Sequence, residues 1–467
     1  MRYGPLLLAC GWLSGCGLTA THEPLEHALI NNPAAQTALP GVAGQAWSQG
    51  PLPHHWWRLY RDPALDLLIE QARAANTSLR VANAALLQAK AQQDRVAAEG
   101  QPEVGASFGA DYAQVSGEQY LLSNVVPTMA LYDTGLSASY QLDLFGRVKH
   151  AEEAAGAHSD AVQAVRDTVG ISVVAEVAQA YVQVCTANQA LGLAREQLAL
   201  QGRLVELTHR LQQAGRAVDL DVIKAKAGRD DVAASMPVLQ ARHDAGLLQL
   251  AALTGRVRAD FPASVTQCAA PPRLIAAIPV GDGAALLRRR PDLRAAERML
   301  AAATAQISVA KADLYPQISL GASLGSTGKL SDFLTPPTNF WGLGPQISWN
   351  LNQTAVRAEI RAAGAGQQMA LAKFDGAVLA AVREAATAIS NENQDQARLD
   401  VLVQTEARAE RAGQEAAMLF QAGKVDEMMP LQVHRAQLAA QAAVLAGQAK
   451  LASDQVALFL ALGGGWE

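Results

Sequence analysis

The sequence predicts an α+β membrane protein in which a few strands belong in lipid and most of the chain is long helix. Three observations carry this. The chain repeats itself. Each repeat holds one pair of alternating strands between helices. After each pair comes a helical run without proline, far longer than a compact domain needs.

The repeat is visible as two blocks. Residues 79–102 ("LRVANAALLQAKAQQDRVAAEGQP") match 293–316 ("LRAAERMLAAATAQISVAKADLYP") at an offset of 214, with Leu79/Leu293, Arg80/Arg294, Leu86/Leu300, Gln92/Gln306 and Pro102/Pro316 identical. Later the offset falls to 208, where "LQQAGRAVD" at 211–219 meets "LFQAGKVDE" at 419–427 and Gly255 meets Gly463. Two anchors sharing one late offset define two copies of a single unit, the second about six residues shorter.

Each copy opens with a helix-forming run, 63–99 and 284–314, that stops at Pro102 or Pro316, because proline lacks the amide donor and clashes with the preceding turn. Strict alternation follows. Val104, Ala106, Phe108, Ala110 and Tyr112 fall on one face, with Gly105, Ser107, Gly109 and Asp111 on the other; Ile318, Leu320, Ala322 and Leu324 repeat the pattern. A polar connection leads to a return strand carrying Leu136, Ala138, Tyr140 and Leu142, or Ile347, Trp349 and Leu351. Period-two alternation of this kind is the signature of a strand with one apolar face. The strands are placed at about 103–115, 130–144, 317–326 and 340–352.

Arg147 to Gln213 then runs without proline, as does 355–421. At the helical rise, such a run reaches about 100 Å. Both stop at Ala-Gly-Arg or Ala-Gly-Lys, where Gly215 and Gly423 can adopt the left-handed conformation that ends a helix. A return helix follows, with Pro237 and Pro430 as kinks or starts, and the long pairs should pack as antiparallel hairpins. Four strands cannot close on themselves, and open strand edges are not tolerated in lipid. The geometry therefore calls for oligomerisation; three chains would supply twelve strands, an even number suited to an outer membrane barrel.

Composition agrees. Aromatic residues make up only 5% of the 467, and the net charge of −5 offers no nucleic-acid surface. Ala-rich sequence favours close helix packing. After the first residues no apolar run reaches the roughly 18 residues of a transmembrane helix. "LACGWLSGCGLT" at 8–19 reads as a lipoprotein signal. Cys16 would be acylated after removal of 1–15, an ordinary secretory signal with a chance cysteine being the alternative. Gly17 is not the aspartate that would resemble an inner-membrane retention signal. Of the other cysteines, Cys10 leaves with the signal, while Cys185 and Cys268 are expected to be free thiols, although spacing alone does not decide the matter.

The motifs "WWRLYRDPALDLLIEQARAANTSLR", "RRRPDLRAAERML", "YPQISLGASLG", "SYQLDLFGR", "LQQAGRAVDLDV" and "VALFLALGGGWE", in that order, resemble the TolC-like outer membrane efflux factors, and most of all the OprM/NodT-type lipoproteins that serve resistance-nodulation-division (RND) systems. The resemblance spans essentially the whole mature chain. It implies a homotrimer with a twelve-stranded barrel continuous with a helical periplasmic tunnel. It further implies docking to a periplasmic adaptor protein and an inner membrane RND transporter, an outer membrane lipid environment, and the passive exit of drugs or other small solutes. On this reading 1–15 is the signal, 16–60 a lipidated tail, 61–256 and 284–463 the two repeats, 257–283 a Pro-rich linker and 464–467 a C-terminal tail.

The resemblance also places Gly215 and Gly423 at the periplasmic tip. Where relatives carry an apolar residue five positions after the second glycine and an aspartate nine after it, this chain has Met428 and Gln432, with Met429 beside them. Three glutamines cannot form the carboxylate ring that would select cations, so a gate closed by flexible methionine packing is expected, with interhelical filling as the alternative. Asp221 matches the usual acid in the first copy. Arg216, Asp219, Lys424, Asp426 and Glu427 are candidate adaptor contacts, or simply a solvated surface. Where relatives read Phe-Asp-Gly-Gly-Arg after the fourth strand, Asn350-Leu351-Asn352-Gln353-Thr354 lacks both glycines.

No catalytic or cofactor motif is present. Histidines are scattered, and His54-His55 beside Trp56-Trp57 reads as tail or packing because a metal needs three or four convergent ligands. The glycines at 463–465 read as chain-end flexibility. A lipid-anchored periplasmic coiled-coil scaffold is the alternative function, but it leaves four alternating strands unexplained. A lipid-anchored enzyme would need a convergent polar cluster.

Overall fold

The protein is described by a computed structural model covering residues 28–33, 37, 41–42, 47–48, 50, 52–121, 123–274, 276–281 and 283–464. The signal at 1–15, Cys16 and residues 465–467 lie outside the described residues. Helices α1 (Pro63–Ala75), α2 (Thr77–Ala98), α3 (Arg147–Gln213) and α4 (Asp219–Leu253) belong to the first repeat. A short α5 (Ala263–Thr266) precedes α6 (Gly283–Arg289), α7 (Pro291–Ala312), α8 (Gln353–Gln421) and α9 (Met428–Ala461) of the second. The strands are β1 (Trp47–Ser48), β2 (Glu103–Ala113), β3 (Met129–Leu142), β4 (Ile278–Pro279), β5 (Gln317–Lys329) and β6 (Asn339–Ser348).

The chain divides into two compact units, each built from matching parts of both repeats: Leu86–Val162 with Ala295–Phe374, and Ala28–Ala85 with Gln163–Arg294 and Asp375–Glu467. The first unit holds a four-stranded antiparallel sheet in the order β2-β3-β5-β6. Its register sets Val104 opposite Ala138, Leu136 opposite Leu324 and Ala322 opposite Leu343, so the apolar residues of all four strands share one face. Gly105, Ser137, Ser323 and Gly342 line the other. β2 and β6 are its free edges.

β6 ends at Ser348, short of the expected 352. The reason lies in the residues that stand in place of glycine: Asn350 Oδ1 accepts from the Asn352 amide at 3.0 Å, and Asn352 Oδ1 from the Thr354 amide at 3.3 Å. These asparagine side chains imitate the backbone of a turn, so α8 starts without a left-handed residue. The first repeat turns differently, through Gly146 at φ +75°. Below the sheet Phe145 stacks on Tyr315 with ring centroids 4.6 Å apart, and Trp349 donates to the Leu314 carbonyl at 3.1 Å.

The second unit contains the principal core. Trp56, Trp57 and Tyr60 pack with Leu65, Leu68 and Ile69 of α1 against α3, α4, α8 and α9, and Trp56 stacks on Phe459 at 4.6 Å. Part of the expected tail is therefore tied down: Trp47 Nε1 donates to Asn393 Oδ1 at 3.2 Å, and Asn393 Nδ2 to the Gly41 carbonyl at 2.9 Å. α3 does contain an 18-residue window of mean hydropathy 1.3, contrary to the expectation of no such run, but most of it is buried in this core. The helices pair antiparallel. A Cβ on Gly246 of α4 would meet Val184 of α3 at 2.7 Å, and one on Gly447 of α9 would meet Leu402 of α8 at 3.1 Å.

Each opening helix is broken once, where the sequence reading had one run. The two breaks are equivalent. Asn76 caps α2 through bonds from the Ser78 and Leu79 amides and donates through Nδ2 to the Leu253 carbonyl at 3.0 Å. At the offset of 214, Arg290 donates to the Ala461 carbonyl at 2.8 Å. Gly255 and Gly463, at φ +69° and +70°, end the return helices against these breaks, where an added Cβ would lie 2.8 Å from the Ala75 carbonyl or 2.9 Å from Arg290 Cγ. Gly464 is packed likewise against Leu52. Gly463 and Gly464 are thus close-approach positions rather than a flexible end.

Cys185 and Cys268 form a disulfide, with Cα atoms 4.8 Å apart; the expectation of free thiols is overturned. The 83-residue separation hid a fold-back of the linker over α3, where Val265, Ile278 and Val280 join the core and Asn188 holds the Cys268 carbonyl at 2.9 Å. Closing a loop of that length is worth up to about 4 kcal/mol in the chain-entropy picture. Replacing both cysteines by serine is expected to lower the midpoint of helix melting by circular dichroism; an unchanged midpoint would contradict a structural role.

Candidate channel wall and helix-end turns

Two regions of the structure have functional character: the sheet, and the ends of the long helices. On the apolar face of the sheet Val104, Phe108, Tyr112, Trp341, Leu343 and Ile347 are all more than two-thirds exposed. A contiguous apolar surface of this kind requires lipid or protein beside it. The opposite face is small and polar, with Ser107, Ser137, Ser139, Ser319, Ser323 and Gln346 between glycines. Among the described residues its charges are few, chiefly Glu103, Asp111, Asp133 and Lys329. Such a wall suits water and solutes of mixed chemistry.

At the other site α3 and α8 end in the same motif. The Arg216 amide bonds to the Leu211 carbonyl at 2.8 Å and the Lys424 amide to Leu419 at 2.9 Å, with Gly215 and Gly423 at φ +72° and +67°. This six-to-one bond is available only when the intervening residue is left-handed, which is why glycine stands there. The return helices start by different means. In the first repeat Asp221 reaches back to accept from the Val218 amide at 3.1 Å. In the second, Asp426 accepts from the amides of Met428 and Met429 at 3.2 and 3.3 Å. Both carboxylates therefore sit at helix N-termini, where negative charge is favoured.

Asp219 accepts from Gln212 Nε2 at 3.3 Å, and Glu427 lies 3.6 Å from Arg210, so the end of α3 and the second turn are in contact. Arg216 and Lys424 are exposed; Met428 is half-buried, and Met429 and Gln432 are exposed on the first turns of α9.

A buried polar cluster between α8 and α9 escaped the sequence reading. Glu392 is 6% exposed and takes a bond from Gln455 Nε2 at 3.0 Å, while its Oε2 has no partner. Desolvation pushes its carboxyl up to about 7, reinforced by Asp454 and Asp395 and opposed by the Gln455 bond and Lys450. Lys450 bridges Asp454 and Asp395. Glu392 occurs in "NENQDQ", which looks like an ordinary polar helix face; only the packing of α9 against it reveals the burial. His55 packs edge-on to Trp57 at 5.0 Å.

The architecture defines an outer membrane channel, and comparison with known proteins agrees. The chain matches the Outer membrane efflux protein family over residues 68–256 and 284–464, and it belongs to that family. It is 30% identical to the pyoverdine export outer membrane protein OpmQ of Pseudomonas putida over 464 residues, covering 95% of this chain and 97% of that protein. It is also 30% identical to the antibiotic efflux pump outer membrane protein ArpC of Pseudomonas putida, covering 97% and 93%. Among solved structures it superimposes on the outer-membrane channel OprN with a TM-score of 0.84 at 35% identity, covering 92% of this chain and 97% of that one. The protein is an outer membrane efflux channel, with its sheet in the membrane and its long helices on the periplasmic side.

Because the carboxyl of Glu392 sits near 7 when folded and near 4.5 otherwise, its burial is harmless below pH 4.5 and opposes folding increasingly as pH rises through 7. Thermal stability is expected to fall over that interval. Glu392→Gln is expected to flatten the profile; an equally steep decline in the variant would refute the assignment.

Proposed function

We propose that three copies of the chain close a twelve-stranded barrel, β6 of one pairing with β2 of the next. The barrel would provide a passive exit for small solutes delivered through a periplasmic adaptor and an inner membrane RND transporter. The observation that carries this is the sheet itself: an apolar outer face, a small polar inner face and two unpaired edges on four strands. In lipid every backbone amide and carbonyl must find a partner, so those edges require sibling strands. Cys16 carries the lipid anchor once 1–15 is removed.

The periplasmic end is closed at the start of α9, with Met428, Met429 and Gln432 lining the constriction and Asp221 near it. Arg216, Asp219, Lys424, Asp426 and Glu427 form the contact surface for the adaptor. Two features support this: the glycine turns are alike, and the side chains around them are charged or apolar rather than uniformly polar. The sparse charge of the wall supports a duct with little discrimination of its own, leaving choice of cargo to the transporter.

The purified protein is expected to run as a trimer on gels when unheated and to collapse to monomer on boiling. Only monomers, with no conductance in planar bilayers, would favour a coiled-coil scaffold instead. Met428→Ser is expected to raise single-channel conductance and the leak of large antibiotics. If neither changes, Met428 does not line the constriction.

A further inference from the structure

Along the apolar face of the sheet one patch is not exposed. Tyr132 is 2% and Ser326 0% exposed, although neighbours on the same face, Phe108 and Leu136, are 68% and 49% exposed. The cover is the β5–β6 connection, residues 330–338, which folds back over β3 and β5. The Tyr132 hydroxyl lies 2.6 Å from Ser326 Oγ and 2.9 Å from Thr338 Oγ1, and it accepts from the Leu334 amide at 3.0 Å. Phe333 packs edge-on to the Tyr132 ring at 4.8 Å. Leu334 takes a left-handed conformation, φ +59°, that a leucine rarely adopts, and the cost of about 1 kcal/mol or more implies that the surrounding bonds hold it there.

From these contacts we infer that residues 330–338 form a clasp that inserts Leu330, Phe333 and Leu334 into the hydrocarbon of the outer leaflet, with Tyr132 as its tether. The inference rests on the barrel reading. The hydroxyls that hold the clasp satisfy one another, so none is left bare in an apolar medium. The backbone is economical in donors. Thr335 and Thr338 donate within the segment at 3.1 and 3.0 Å, and Pro336 and Pro337 have no amide hydrogen. Leu330, Phe333 and Leu334 remain about half exposed. Leu334 lines a groove of about 700 Å³ together with Phe108, Leu324 and Trp341 of the apolar face. That continuity selects lipid as the occupant. The clasp also leans toward β3, the interior of its own sheet, rather than beyond the β6 edge where a second copy would pair. Asp332, exposed between Leu330 and Phe333, would keep the clasp shallow, close to the water boundary.

The test is nitroxide labelling of Leu334→Cys, with Leu343→Cys on the outer face and Val125→Cys in the other hairpin connection as references. The trimer is reconstituted in phosphatidylethanolamine/phosphatidylglycerol vesicles. Collision with oxygen is compared with collision with a polar nickel chelate. Position 334 is expected to match 343, favouring oxygen several-fold over 125, and to lose that preference in Tyr132→Phe while 343 and the heat-sensitive trimer stay unchanged. A reading at 334 like that at 125 overturns the insertion. Inaccessibility to both reagents overturns it in favour of a protein contact. Preference for oxygen that persists in Tyr132→Phe overturns the tether. If 343 itself reads as aqueous, the barrel reading fails first.

Discussion

Backbone hydrogen bonding in lipid is the constraint on which the rest of this structure depends. A four-stranded sheet with unpaired edges at β2 and β6 has no stable place in a membrane by itself. Its alternating faces offer lipid on one side and water on the other only if the sheet is continued into a closed wall. The long helices inherit that geometry. In chain order α3 and α8 each follow directly on a strand hairpin, after β3 and β6. The turns at Gly215 and Gly423 then send the chain back through α4 and α9, and the core of Trp56, Trp57, Phe459 and their neighbours ties these helices together at the other end.

The duplication allows the same problem to be seen solved twice with different chemistry. The turn after the first hairpin uses a left-handed glycine and that after the second uses two asparagine side chains. A carboxylate caps one return helix from within and the other from in front. Such pairs separate what the architecture demands, a turn or a cap at that place, from what a particular residue supplies. They also show why a missing glycine between β6 and α8 is no defect.

Much of this was legible in the sequence because its causes are local. Alternation at 103–115 and 317–326, the prolines at 102 and 316, and the glycines at 215 and 423 act on their own segments. The break at Asn76 was also available, since an asparagine before Thr77-Ser78 is a helix-capping pattern, and Arg290-Pro291 marks a new first turn. What stayed hidden depends on distant partners: the Cys185–Cys268 bond, the burial of Glu392, the packing of Gly463 and Gly464, and the cover over Tyr132. In each case the residue looks ordinary until a segment tens or hundreds of positions away is laid against it.

The two equivalent junctions differ in one respect that bears on how the molecule comes apart. Asn76 holds its return helix by a single neutral amide bond, whereas Arg290 holds its own by a charged donor that is also engaged with Asp292 and Glu384. Charged donors form roughly twice as strong a bond as neutral ones. Under thermal stress the junction at Asn76 would therefore open before the one at Arg290, giving two equivalent joints an inbuilt order of failure.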